Sequence, residues 1–303
     1  MGGIENDTPL FLAKAIFYLW TGHNNFLADS YDAEPIFVDE LSTSYIQETV
    51  IPETPTMLMP MDLAVKSNGN LLGAFSMICV EFDSNFRILG QPGRSLYEAG
   101  SYTSAAGVAV TPGGTVYLKP SMGRDVYRFA GDSGIGEKWR TGIDIYGPFM
   151  TLPDGSILVI DIQKKKALKI YNRKKTELQL FTNPYSYIAA VAAGPEGNIW
   201  VYDIMEQRIR IHTPEGEILD SIIPVLDTSS GMSPSALSVY KDGRFVLYYS
   251  TGQMYSFTRE GIPIWGISEI DALEGTEGLP QTAKIAVDST SGLIYIADMM
   301  GQR

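Results

Sequence analysis

Three acidic residues are each followed, five positions later, by a cation, and such a pair could serve acid–base chemistry or hold an ion. The pairs are Asp161 with Lys166, Asp203 with Arg208, and Asp298 with Arg303. Each pair spans a short turn after a strand-like segment, at an equivalent place in the chain. Recurrence favours a structural role, in which the carboxylate accepts hydrogen bonds from the turn backbone and from the cation across the turn. We therefore predict turn bracing, and no catalytic residues.

Histidine catalysis is nearly excluded by number, because the chain has only His23 and His212. His212 ends a strand-like segment at a position that other repeats fill with unrelated residue types, so we predict a structural role. The acidic segment 269–277 lacks the spaced D-x-D-x-D-G pattern of a calcium loop. We predict no cofactor and no metal, and keep an all-oxygen metal site at the centre of the fold as an alternative.

Basic residues do not form a nucleic-acid footprint. The two clusters, 164–166 and 173–175, lie at opposite ends of one predicted strand, about 25 Å apart at ~3.3 Å per residue. The formal net charge of the chain is −12. Because nucleic-acid binding needs a basic face, we predict no nucleic-acid partner and expect an acidic protein that would suit a basic partner.

The elements that position these residues are short strands in a repeating unit. Segment 189–222 reads as four strands separated by turns, with β-branched and aromatic residues enriched. Its first strand and turn recur along the chain, and the turn glycines are separated by 41 to 49 residues. They are Gly69, Gly114, Gly155, Gly197, Gly243 and Gly292. A period of this size with four strands per unit is typical of a β-propeller blade.

The segment GNIWVYDIMEQRIRIHTPEGEIL resembles the NHL repeat, in which a Gly-x-aromatic/aliphatic-Val-x-Asp strand precedes a short turn and an Arg-Ile pair. GLIYIADMMGQR matches the first half of that pattern, with Gln207 and Gln302 in place of the usual turn Asn. Units 1, 2 and 5 lack the Asp–Arg pair. The resemblance covers about residues 56–303 and implies an all-β, six-bladed NHL-like propeller. It implies little about function, since propellers carry many unrelated activities.

The N-terminus is predicted to divide into two parts. Residues 1–34 form a helical segment, because Thr8-Pro9 is a good helix start and apolar residues follow at helical spacing. Residues 35–303 form the propeller. The sixth unit has only two strands before the chain stops, so we predict that Tyr45–Ile51 is its outer strand. Its third strand is either Ile36–Asp39 or a segment beyond residue 303.

Composition indicates a single large β domain. The 303 residues are 45% hydrophobic and 19% charged, with 30 Gly and 17 Pro. The lone Cys79 lies in a strand-like run and is predicted to be a buried hydrophobe. No secretory signal is predicted, because the first residues carry Glu5 and Asp7 and the apolar run after them contains Lys14. The compartment stays open, with export to the periplasm or cell envelope as alternatives.

In a propeller, the connections between blades and the turns between second and third strands gather on the same face. We call this face the loop face. Long loops on a rigid scaffold are where binding residues usually lie. The connections carry tyrosines, which favour interfaces. These candidate binding residues are Tyr97, Tyr102, Tyr146, Tyr185 and Tyr187.

The sequence therefore favours a non-catalytic scaffold for a protein partner. One alternative is an enzyme or small-ligand propeller with a carboxylate metal site in the channel, as in lactonases or lyases. The other is a structural module of a longer cell-envelope protein.

Overall fold

The computed structural model describes residues 16–17, 49–50, 60–76, 78–94, 98, 105–121, 125–129, 136–140, 147–171, 174–180, 186–226, 233–267 and 283–298. Nearly all regular structure in these ranges is β-strand, and a short 3-10 turn covers Pro195–Gly197. The first two strands are β1 (Ile16–Phe17) and β2 (Thr49–Val50). Within the described ranges, no helix has the length and apolar character that crossing a bilayer requires.

Five sheets of four antiparallel strands follow. Blade 1 contains β3 (Pro60–Val65), β4 (Leu71–Phe75), β5 (Cys79–Phe82) and β6 (Ile88–Gly90). Blade 2 contains β7 (Ala105–Val110), β8 (Val116–Pro120), β9 (Asp125–Phe129) and β10 (Gly136–Arg140). Blade 3 contains β11 (Phe149–Thr151), β12 (Ile157–Asp161), β13 (Lys166–Tyr171) and β14 (Lys174–Gln179).

The remaining strands complete the series. Blade 4 contains β15 (Ile188–Ala193), β16 (Ile199–Asp203), β17 (Arg208–His212) and β18 (Ile218–Ile222). Blade 5 contains β19 (Pro234–Val239), β20 (Phe245–Tyr249), β21 (Gln253–Phe257) and β22 (Pro263–Ile267). A two-stranded sheet is formed by β23 (Ala283–Val287) and β24 (Ile294–Asp298).

The sheets surround a central axis. The first strand of each blade contacts the first strand of the next, from β3 through β7, β11, β15 and β19. The sheet of β23 and β24 lies between blades 5 and 1, because β23 contacts both β19 and β3. The fold is therefore an all-β propeller, as the repeat predicted.

The blade count differs from the prediction. Five blades have four strands, and the prediction of six is wrong for the described part of the chain, where β23 and β24 pair only with each other. Strand β1 lies against β24 and pairs with β2 as a separate two-stranded sheet. Thr49–Val50 falls inside the predicted outer strand Tyr45–Ile51. The predicted third strand, Ile36–Asp39, lies outside the described residues.

The helix predicted within residues 1–34 is not found at the two described positions. Ile16–Phe17 is a strand, and the rest of the predicted helix lies outside the described residues. A β-branched residue followed by an aromatic one suits a strand when a partner is present. Here Ile16 pairs with Val50 and Phe17 with Thr49, so a pairing distant in sequence replaces the local helical pattern.

The predicted turn glycines adopt a backbone conformation that favours glycine. All six have positive φ, between 78° and 89°. Residues with a side chain rarely adopt this conformation, whereas glycine does so at no steric cost. The repeat seen in the sequence is thus a repeat of one turn geometry, placed between the first and second strands of each sheet.

Apolar side chains fill the spaces between neighbouring sheets. Between blades 4 and 5, the Trp200 ring lies 5.7 Å from that of Phe245, which stacks on Phe257 at 5.0 Å. Cys79 is fully buried, as predicted, and burial raises the pKa of its thiol. These contacts make a rigid frame around the axis.

Candidate functional site

A channel of about 610 Å³ runs along the axis, in the size range of small-molecule sites. Its wall is built by the first strand of every blade and by β23. The lining is mostly Ala, Val and Gly, because only small side chains fit where several strands converge. The backbone edge of these strands also faces the channel.

The first strand carries a β-bulge near its start in four blades. The register with the second strand shifts by one residue, which leaves one extra residue in the first strand. The extra residues are Met61, Ala106, Ala189 and Ser235. Bulges turn side chains and often border binding sites. Here they re-aim the residues at one end of the channel.

Three charged side chains line that same end, which we call the channel mouth. Asp62 lies near the start of β3 and Lys284 near the start of β23, while Lys119 lies near the end of β8. First and second strands are antiparallel, so the start of one and the end of the other meet on the loop face. The mouth therefore collects one carboxylate and two ammonium groups.

Asp62 projects across to the neighbouring blade. Its Oδ2 accepts a hydrogen bond from the Val108 amide at 3.1 Å. Burial raises the pKa of Asp62 to about 6, and the charge of Lys284 and the amides of Val108 and Leu63 oppose that rise. Desolvation penalises the charged carboxylate more than these partners stabilise it.

Lys119 reaches the channel from a second strand. Its cross-strand neighbour in β7 is Gly107, which has no side chain to block the path. A Cβ on Gly107 would be 3.6 Å from Asp62 Oδ2, so the carboxylate occupies the space beside that glycine. Lys119 is only 7% exposed, and burial lowers the pKa of its ammonium group.

A second feature of the loop face is an apolar pair on blade 4. Tyr187 is 56% exposed and Met205 is 64% exposed. The buried Asp203 carboxylate holds both, since its Oδ1 accepts from the Tyr187 amide at 3.1 Å and the Met205 amide at 3.0 Å. The Ile204 amide donates to the Tyr187 carbonyl at 3.0 Å, which ties the two segments together.

Of the five predicted binding tyrosines, Tyr187 is within the described residues. It lies on the loop face as expected, just before β15. The other four lie outside the described residues. They are Tyr97, Tyr102, Tyr146 and Tyr185.

The predicted turn bracing is confirmed for two carboxylates and wrong for their cations. Asp161 Oδ1 accepts from the Lys164 amide at 3.0 Å, and Asp203 Oδ1 accepts from the turn at Met205. Although register places Lys166 and Arg208 opposite them, Lys166 pairs with Glu177 and Arg208 with Glu206. Arg303 lies outside the described residues.

His212 has the structural place predicted for it. It is fully buried at the end of β17, and its Nδ1 lies 3.1 Å from the Gly216 carbonyl. Burial lowers the pKa of its imidazole. No group of three or more His, Cys, Asp or Glu that could hold a metal occurs in the parts of the chain described above. His23 and the acidic segment 269–277 lie outside them.

The sequence reasoning missed Asp62, Lys119 and Lys284. The available signal was a charged residue inside an otherwise apolar strand, as in MDLAV, VYLKP and AKIAV. Each had a plain interpretation as a strand-end charge. Their meeting depends on ring closure, which no single repeat displays.

Comparison with known proteins establishes the fold. No protein-family signature and no curated protein sequence matches the chain. Virginiamycin B lyase from Staphylococcus aureus is 13% identical, with a TM-score of 0.52 over 79% of this chain and 78% of that one. A catalytically inactive His-to-Ala variant of that lyase, with quinupristin, is 14% identical, with a TM-score of 0.52 over 80% and 78%. A streptogramin B lyase structure is 14% identical, with a TM-score of 0.54 over 95% and 94%. At such identities the similarity shows a β-propeller and nothing about activity.

Proposed function

We propose that this chain is a non-catalytic scaffold that binds a protein partner through its loop face. The observation that carries the proposal is the exposed pair of Tyr187 and Met205 on a fixed backbone. Tyr and Met are enriched in protein interfaces, and side chains anchored on rigid backbone lose less entropy on binding. Asp203 supplies that rigidity from beneath the surface.

The charge of the chain suggests what such a partner looks like. With a net charge of −12, the scaffold would attract a partner with a basic rim around an apolar centre. The same charge opposes nucleic acid, for which we propose no role.

The proposal predicts that replacing Tyr187 and Met205 by alanine together weakens binding of the partner at least tenfold. Affinity capture from the source organism would identify proteins retained at stoichiometric amounts, and calorimetry with the purified partner would measure the affinity. A matched control is the double replacement of Ile218 and Leu219, which are 55% and 58% exposed on β18 of the same blade. Equal affinity of the partner for the wild type and the Tyr187/Met205 variant would contradict this site.

We also propose a family, a division of the chain and a way of closing the ring. We assign the chain to the NHL-like propellers, with residues 1–34 as a separate segment. The N-terminal strands would close the ring beside the two-stranded sheet of β23 and β24, since β1 lies against β24. Limited proteolysis that removes residues 1–55 without loss of folding would argue against this closure. The four other tyrosines would extend the binding face.

The lyase alternative receives less support from the described residues. The His-to-Ala variant of the S. aureus lyase is inactive, whereas His212 here is buried in an outer strand of blade 4 and absent from the channel lining. A carboxylate metal site also fits poorly, because the two lysines at the channel mouth repel a cation. A place within a longer cell-envelope protein remains a further alternative for the scaffold.

A further inference from the structure

The charged side chains described at the channel mouth sum to a charge opposite to that of the whole protein. These two lysines and one aspartate carry a formal charge of +1, while the whole chain carries −12. A charge held in a cleft with low-dielectric walls acts more strongly on a ligand than one in open solvent. The channel mouth is therefore the place where a small anion is attracted into this acidic molecule.

The lysines are held where a ligand could use them. Lys119 lines the channel opposite Gly107 in the sheet and is only 7% exposed, so burial removes water from around its ammonium group. Lys284 approaches from the opposite neighbour of blade 1 and acts on the Asp62 carboxylate. Asp62 also accepts from Val108, so its charge is shared between an amide and a lysine.

Below the mouth the channel becomes apolar. Ala64, Val191, Val239 and Val287 line it, and Thr151 and Ser238 supply isolated hydroxyl groups. The Thr151 hydroxyl already donates to the Val110 carbonyl at 2.6 Å. A volume of about 610 Å³ accommodates a small molecule with an apolar body.

We infer that the channel binds a small organic anion, with its carboxylate or phosphate between Lys119 and Lys284 and its apolar body along the axis. The Asp62 carboxylate lies within electrostatic range of Lys284 and limits the net charge. This site is separate from the Tyr187 and Met205 surface, so either proposal can fail without the other.

The inference is tested with four probes that share a six-carbon chain and differ in their head group: hexanoate, hexyl phosphate, hexan-1-ol and hexylammonium. Calorimetry at neutral pH is expected to show that at least one anion binds tenfold or more tightly than the alcohol or the amine. Comparing hexanoate with hexyl phosphate identifies which anion the mouth prefers. Added NaCl should weaken binding of the two anions and leave binding of hexan-1-ol unchanged.

Variants locate the binding. Lys119→Met and Lys284→Met should each lower the affinity for the preferred anion at least fivefold, and Asp62→Asn should raise that affinity. Lys241→Met is the matched control, because Lys241 is exposed at the turn after β19 and away from the mouth; it should change nothing. Circular dichroism confirms folding of each variant. The inference is overturned if neither anion binds folded wild type, if hexan-1-ol binds equally well, or if both lysine variants that fold bind as the wild type does.

Discussion

Replacing Lys66 by methionine is expected to lower the free energy of unfolding by about 3 to 5 kcal/mol. Lys66 directly follows β3, and its Nζ lies 2.8 Å from Glu81 Oε1 on β5. The two side chains are only 8% and 7% exposed. Methionine fills a similar volume but carries no charge, so the variant leaves a buried carboxylate with Asn70 Nδ2, at 2.8 Å, as a remaining donor.

Equilibrium urea unfolding followed by tryptophan fluorescence measures this loss. The Lys66→Met/Glu81→Met double variant should recover much of it, because removing both charges also removes the cost of desolvating them. Arg94→Met is the matched control: Arg94 and Glu98 also pair, at 2.7 Å, but are 60% and 58% exposed. Its loss should stay below about 1 kcal/mol. A loss at Lys66 no larger than that at Arg94 would mean that the buried pair is not what holds this corner of blade 1.

The blades could be predicted from the sequence because their signals are local. A turn that needs positive φ selects glycine, and the six glycines mark the same turn in every sheet. Strand alternation around each turn then places four strands per repeat. Neighbouring residues alone carry these signals. The strands within each blade therefore pair in the order in which they occur along the chain, as predicted.

The N-terminal strand could not be predicted in the same way. Ile16–Phe17 lies in a stretch whose apolar spacing suits a helix. The strand forms because its residues pair with Val50 and Thr49, 34 and 32 positions away, and because it lies against β24. Such pairings are decided by ring closure, which local periodicity does not contain.

The channel mouth was missed for a related reason. Asp62 and Lys284 are 222 residues apart in the sequence. Lys119 belongs to the second strand of its blade, which is expected to lie away from the channel. Lys119 nevertheless lines the channel, where its cross-strand neighbour is Gly107. In contrast, the place of Tyr187 on the loop face could be predicted, because the repeat pattern locates the connection between blades 3 and 4. Its exposure of 56% comes from the structure alone.

Asp62→Asn is expected to change the pH dependence of stability by about 3 kcal/mol between pH 4 and pH 8. An aspartate titrates near 3.8 when unfolded, and burial raises the pKa of Asp62 to about 6 in the fold. Two pKa units at about 1.4 kcal/mol each give this figure. Asparagine does not titrate, so the variant isolates the contribution of the carboxyl group.

The sign follows from proton binding. Between pH 4 and pH 6 the folded chain holds a proton at Asp62 that the unfolded chain has lost, so raising the pH removes stability in this window. The cost is fully present above pH 6. The free energy of unfolding of Asp62→Asn minus that of the wild type should therefore be about 3 kcal/mol larger at pH 8 than at pH 4. Urea unfolding at five pH values across that range gives the difference curve.

The groups that face Asp62 allow a sharper test. Lys284 lowers the pKa of Asp62, so in a Lys284→Met background the difference between wild type and Asp62→Asn should keep growing above pH 6, and its total should exceed that in the wild-type background. The Cys79 thiol also lies near Asp62, but burial raises its pKa, so it stays neutral throughout the window. A flat curve, or a midpoint near pH 4 in both backgrounds, would mean that water reaches Asp62 freely. Lys284 near it would then be hydrated as well, and an anion would gain little by entering the channel.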